Sequence, residues 1–69
     1  MNFVAAFAAM LNGKRLQRPR WVGYGEYVRI LAIGCYEPCI VMQTERGTER
    51  PGWTPSSEDL FAGDWQVVT

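Results

Sequence analysis

Sixty-nine residues make one domain, and a chain this short buries only about 60% of its unfolded surface, so its own core is marginal. Two cysteines and no histidine exclude a dense disulfide framework, an ordinary zinc site and a hydrolase triad with an imidazole base. A net charge of zero lacks the electrostatic footprint of a duplex nucleic-acid binder, and no segment approaches the ~20 apolar residues of a membrane span.

In chain order, Asn2 is a helix cap and Asn12-Gly13 a helix end. Phe3, Ala6, Phe7, Met10 and Leu11 recur between them at steps of three and four, which predicts a helix with one apolar face. With its charges following at Lys14 and Arg15, this apolar stretch reads as mature sequence and not as a secretory signal. Lys14 to Arg18 is a short polar strand, expected at a sheet edge and ended by Pro19. Trp21 follows in a loop with Gly23 and Gly25. Tyr27 to Ile33 alternates two largely apolar faces, with Val28, Ile30 and Ala32 on one side, and is expected to be a central strand. Gly34 to Pro38 is a loop and Cys39 to Thr44 a second buried strand. Glu45-Arg46-Gly47 forms a three-residue hairpin loop with Gly47 left-handed, and Thr48 to Arg50 returns. A short helix then starts either at Thr54, with Pro55 in its first position, or at Ser56, with Asp59 three residues on as in a capping box. Gly63 stops it, and Asp64 to Val68 is a final strand with Trp65 on its inner face. The fold class is α+β: an N-terminal helix and a short second helix packed on a small antiparallel sheet, in a single domain over residues 1–69.

The residues for catalysis are missing. Ser56 and Ser57 are better used as helix caps, and Cys35 and Cys39 have three residues between them, not the two of a redox pair. They are small apolar fillers, reduced in the cytoplasm. Glu58 and Asp59, adjacent on a helix, do not face each other. No cofactor or metal is expected.

What remains are the parts of a binding pocket. Trp53 stands just before the second helix, and Trp21 stands beside Arg18 and Arg20. An indole stacks a base, arginine grips phosphate with two hydrogen bonds, and Asp59 can accept from ribose hydroxyls. Against this, Glu58 and Asp59 would repel a phosphate held at the helix end. Trp21 and Trp53 serve equally well as core, and Trp65 is assigned to the core. Three Trp, three Tyr and three Phe exceed what so small an interior hides, which points to contact with a ligand or a second copy.

Two stretches carry a resemblance. Met1-Asn2-Phe3 with Leu11-Asn12-Gly13-Lys14 and Arg18 to Gly23 resembles the opening of a family of short phage and prophage proteins that includes the Thoeris anti-defence proteins of the second type. Ile40-Val41-Met42, Trp53-Thr54-Pro55-Ser56 and Asp59-Leu60-x-Ala-x-Asp64-Trp65 look like that family's ending. The resemblance implies a small α+β homo-oligomer, often a tetramer, acting in the host bacterial cytoplasm. It implies sequestration, without cleavage, of glycocyclic ADP-ribose, and in some relatives of cyclic oligonucleotides. By motif position it implies pocket residues Trp21, Trp53, Thr54 and Asp59, with Arg18 on the pyrophosphate and Phe7 alongside. Gly52 between Pro51 and Trp53, and the short 34–38 loop, depart from the family pattern. The competing reading is a small oligomeric phage accessory protein that binds another protein through its aromatic surface.

Overall fold

The Asn2 side chain accepts from the Ala5 N–H at 2.9 Å, satisfying one of the donors that a helix start leaves free. In the computed structural model of the chain, which describes residues 1–31 and 37–68, helix α1 then spans Phe3–Leu11. It ends at Asn12, and Gly13 takes φ +84°, a left-handed conformation that a residue with a Cβ rarely adopts. Ala6 and Met10, four apart, bury one face, while Val4 and Leu11 remain in solvent on the others.

Five antiparallel strands follow among the described residues: β1 Leu16–Gln17, β2 Glu26–Leu31, β3 Cys39–Thr44, β4 Glu49–Pro51 and β5 Gln66–Val67. Their spatial order is β4-β3-β2-β1-β5, so β2 is the central strand, as expected. The hairpin between β3 and β4 turns on Gly47 at φ +87°, and Thr44 and Thr48 close it through the Thr44 N–H at 3.1 Å. The short helix α2 spans Ser57–Phe61. The architecture is the α+β arrangement the pattern predicts.

Three local expectations are corrected. Strand β1 is not an edge: Leu16 lies opposite both Val28 of β2 and Val67 of β5. Its polar neighbours misled because they line the other sheet face, while Leu16 alone points into the core and is fully buried. The segment around Trp21 is not a loop but a 3₁₀ helix, Pro19–Tyr24, entered through the fixed φ of Pro19 and ended by Gly25 at φ +64°. Strand β4 runs on through Pro51, which is possible because β4 is an edge and loses no partner there. Of the two proposed starts for α2, Ser56 is the cap. Residues 32 and 33 of the expected second strand, and 34 to 36 of the following loop with Cys35, lie outside the described residues.

The core lies between the sheet and α1. Ala6, Met10, Leu16, Trp21, Val28, Met42 and Trp65 form one buried cluster, with Phe3, Ile30, Ile40, Trp53 and Ala62 packed on its rim. Trp65 is its largest fully buried side chain, and its indole N–H donates to the Asp59 carbonyl at 3.0 Å. The final strand is therefore a structural member: Trp65 N–H also donates to the Met1 carbonyl at 3.0 Å, tying both ends of the described chain together. No helix among the described residues is long and apolar enough to cross a membrane.

Candidate functional site

The 3₁₀ helix carries Trp21 inward. The turn at Gly52, φ +78°, carries Trp53 back over the sheet, where its backbone N–H donates to Ile40 O at 3.0 Å. Trp21, Trp53 and Trp65 meet edge to face in all three pairings. Ring centroids are 6.0 Å apart for Trp21–Trp53, 5.3 Å for Trp21–Trp65 and 6.3 Å for Trp53–Trp65. Such pairs contribute about 0.5–1.5 kcal/mol each beyond their buried area. From Trp65 the ring contacts continue to Phe3 at 5.6 Å and on to Phe7 at 6.2 Å. Along this chain exposure rises outward. Trp65 and Trp21 are buried, Trp53 is half-buried, and Phe7 is 38% exposed. Thr54, beside Trp53, is exposed.

Arg18 and Asp59, expected to meet different parts of a ligand, meet each other. Arg18 is buried; its Nη1 donates to Asp59 Oδ1 at 3.0 Å and its Nε to Asp64 Oδ1 at 3.1 Å. The second oxygen of Asp59 accepts from the Ser56 N–H and hydroxyl, both at 3.0 Å, and Ser56 Oγ accepts from the Asp59 N–H at 3.2 Å. This is a capping box whose acid is also one half of a buried ion pair. Arg20 pairs with Glu58 at the surface. The network fastens the entry of the 3₁₀ helix to the first turn of α2, and so fixes both segments that carry Trp21 and Trp53.

Burial raises the Asp59 carboxyl, but the Ser56 N–H, the Arg18 guanidinium and the Ser56 hydroxyl together hold it below the usual aspartate range. Arg18 is held above its ordinary value: burial lowers it, and its bonds to Asp64 and Asp59 outweigh that. A carboxyl whose pKa is lowered by folding adds stability above its unfolded pKa. That stability is lost as pH falls through the folded value, because the unfolded chain takes up the proton first. Thermal melts between pH 7 and pH 3 should therefore show stability falling below about pH 4. Asp59→Asn should start less stable and lose less over that interval; an unchanged acid slope in this variant would remove Asp59 from the account.

Of the residues expected to form a pocket, Trp21, Trp53, Arg18 and Asp59 are thus gathered into one region, with Phe7 at the far end of the ring chain and Thr54 at its surface. Two further members were not singled out as site residues: Asp64, the second partner of Arg18, and Trp65, the hub of the rings. Both stand in the closing Asp-Trp motif, the signal that marks them. An open groove of about 550 Å³ lies elsewhere, between the end of the 3₁₀ helix and the β3–β4 hairpin, lined by Tyr24, Gly25, Glu45, Arg46 and Arg50 among others. None of the expected pocket residues lines it.

The family model for the Thoeris anti-defense 2-like domain matches residues 1–68 of the chain, the family that the opening and closing motifs resemble. No curated protein matches it.

Proposed function

Because the chain belongs to the Thoeris anti-defense 2-like family, we propose that it works as a sponge, binding glycocyclic ADP-ribose in the bacterial cytoplasm and holding it uncleaved. The family is not a known enzyme class. The observation that carries the reading is the state of Trp53. Its ring is oriented by Trp21 and Trp65, yet it remains half-buried, next to an exposed Thr54. A ring fixed in direction before the ligand arrives stacks on a base without losing rotamer freedom. Trp53 and Thr54 then form the contact surface, with Phe7 beside it and Trp21 behind. Arg18 and Asp59 act through the segments they anchor.

The proposed sponge is a homo-oligomer, a tetramer by family analogy. Val4 and Leu11 on α1 are 78% and 65% exposed, and Phe61 on α2 is 89% exposed. A marginal core with such a surface gains most by covering it with further copies. A pocket completed between protomers would also account for a wall that one protomer leaves half open. The same exposed residues favour the second reading, a docking surface for another protein.

Native mass spectrometry of the purified protein tests both. Glycocyclic ADP-ribose is added with canonical-linkage cyclic ADP-ribose and a cyclic trinucleotide as competitors. A stable oligomer retaining unaltered glycocyclic ADP-ribose in whole-number stoichiometry is the expected result. An oligomer that retains nothing would sink the sponge and leave the protein-binding surface. Ligand degraded after heating the complex would mean catalysis. Trp53→Ala should weaken binding by about 1–3 kcal/mol, roughly five- to 150-fold in Kd, while the oligomer persists. Unchanged affinity by calorimetric titration would remove Trp53 from the pocket.

A further inference from the structure

The face of the sheet turned away from α1 has its own chemistry. Strand alternation places Leu16, Val28 and Met42 in the core and Arg15, Tyr27, Arg29, Val41 and Gln43 on the opposite side. Leu16 pairs with Val28, and one step further along that register Arg15 faces Arg29. On its other side Arg15 is held by β5, through a carbonyl that accepts from the Val68 N–H at 2.8 Å. Two guanidinium side chains thus stand on neighbouring strands, an arrangement that is destabilising when nothing neutralises it.

Nothing among the described residues does so. Their ion pairs use Arg18 and Arg20 alone. The carboxylate of this face, Glu49, accepts instead from Gln43 Nε2 at 2.6 Å. Arg15 lies over the Tyr27 ring, 5.2 Å from its centroid, which holds one cation in place. Two buried polar atoms of this face also lack partners, the Arg29 Nε donor and the Gln43 Oε1 acceptor. Gln43 is 6% exposed, and its amide is oriented by Glu49 so that the oxygen is the atom left over. Unsatisfied buried groups of this kind are rare in native proteins.

We propose that Arg15 and Arg29 form an anion site on this face, which takes the phosphate group of a small phosphorylated molecule. Gln43 Oε1, buried in the free protein, accepts from a hydroxyl of the same ligand once its side chain turns outward. The anion neutralises the facing cations, gives the Arg29 guanidinium an acceptor as it turns outward, and gives Gln43 its missing donor. The Tyr27 ring supports Arg15 from below. The site stands on the sheet face opposite the tryptophans, so it does not rest on the sponge reading.

The test is thermal melting of the whole protein with inorganic phosphate or ribose 5-phosphate, against sodium chloride of equal ionic strength. It is combined with NMR of the arginine Nε–H resonances. At about ten times the dissociation constant, ribose 5-phosphate should raise Tm by about 6–11 °C and move the Arg29 resonance. Inorganic phosphate, which lacks the sugar hydroxyls, should act in the same way but more weakly. Arg15→Gln and Arg29→Gln should fold, with Tm in chloride equal to or above the parent, and lose the response. Arg46→Gln, the same charge change on the distant hairpin, should keep it. An equal rise in all four proteins would overturn the site as a general salt effect. So would an unmoved Arg29 resonance, or a change in oligomer size in Arg29→Gln with no phosphate response in the parent. Equal response to the two phosphates would overturn the role given to Gln43.

Discussion

Arg18→Met should cost about 3–5 kcal/mol of folding free energy, measured by urea denaturation at pH 7. The side chains of Arg18 and Asp59 are only 8% and 10% exposed, so deleting the cation leaves a buried carboxylate without its counter-charge. Met fills much of the same volume, and the loss is therefore electrostatic and not a cavity. A domain of 69 residues has about 3–10 kcal/mol to lose, so the variant is expected near its unfolding threshold. The double variant Arg18→Met with Asp59→Asn should recover part of the loss, because the uncompensated charge goes with its partner. A loss below about 1 kcal/mol in the single variant would mean that Asp59 finds water, and that the pair is a surface interaction.

Trp65→Ala is the second large effect. Tryptophan-to-alanine changes in cores cost about 3–5 kcal/mol, from lost transfer energy and the cavity left behind. Here three ring contacts go with it, to Phe3, Trp21 and Trp53, and so does the N–H bond to Asp59 O. The tryptophans lose their mutual orientation, so the variant should show a collapsed near-ultraviolet circular dichroism signal even where helix content survives. Trp65→Phe keeps most of the apolar volume and leaves the Asp59 carbonyl without its donor, and should cost less, about 1–3 kcal/mol. A Trp65→Ala variant with parental near-ultraviolet spectrum and midpoint would place the core elsewhere.

The elements legible in the sequence are those whose signals are local. Asn2 and Gly13 bracket α1, the buried-looking run Cys39 to Thr44 gives β3, and the Glu-Arg-Gly turn gives the hairpin. Trp65 declares itself as core by alternating in a short terminal strand. Strand β1 was misplaced because a two-residue strand offers no periodicity. Its polar residues fit an edge as well as they fit the outer face of an inner strand. The pairing of Arg18 with Asp59 spans 41 positions. No spacing rule reaches that far, and each residue taken alone is a sensible ligand group. Their union makes the pair a clamp on the segments that carry the tryptophans. The Arg15–Arg29 juxtaposition was hidden for the same reason, since it depends on a register that β1 reveals only when placed.

A sponge of the kind proposed for this chain has to reach the concentration of what it captures, and concentration favours sheet-to-sheet association. The two rims of this sheet are poorly suited to it. On one, β4 has three residues, all exposed, and the last is a proline with no N–H to offer a neighbouring chain. Glu and Arg occupy the other two positions. On the opposite rim β5 is two residues long, too short to template a foreign strand. Blunt rims of this kind let the chain accumulate while its apolar contacts stay on the helices, so crowding the cell with it should yield discrete assemblies and not fibrils.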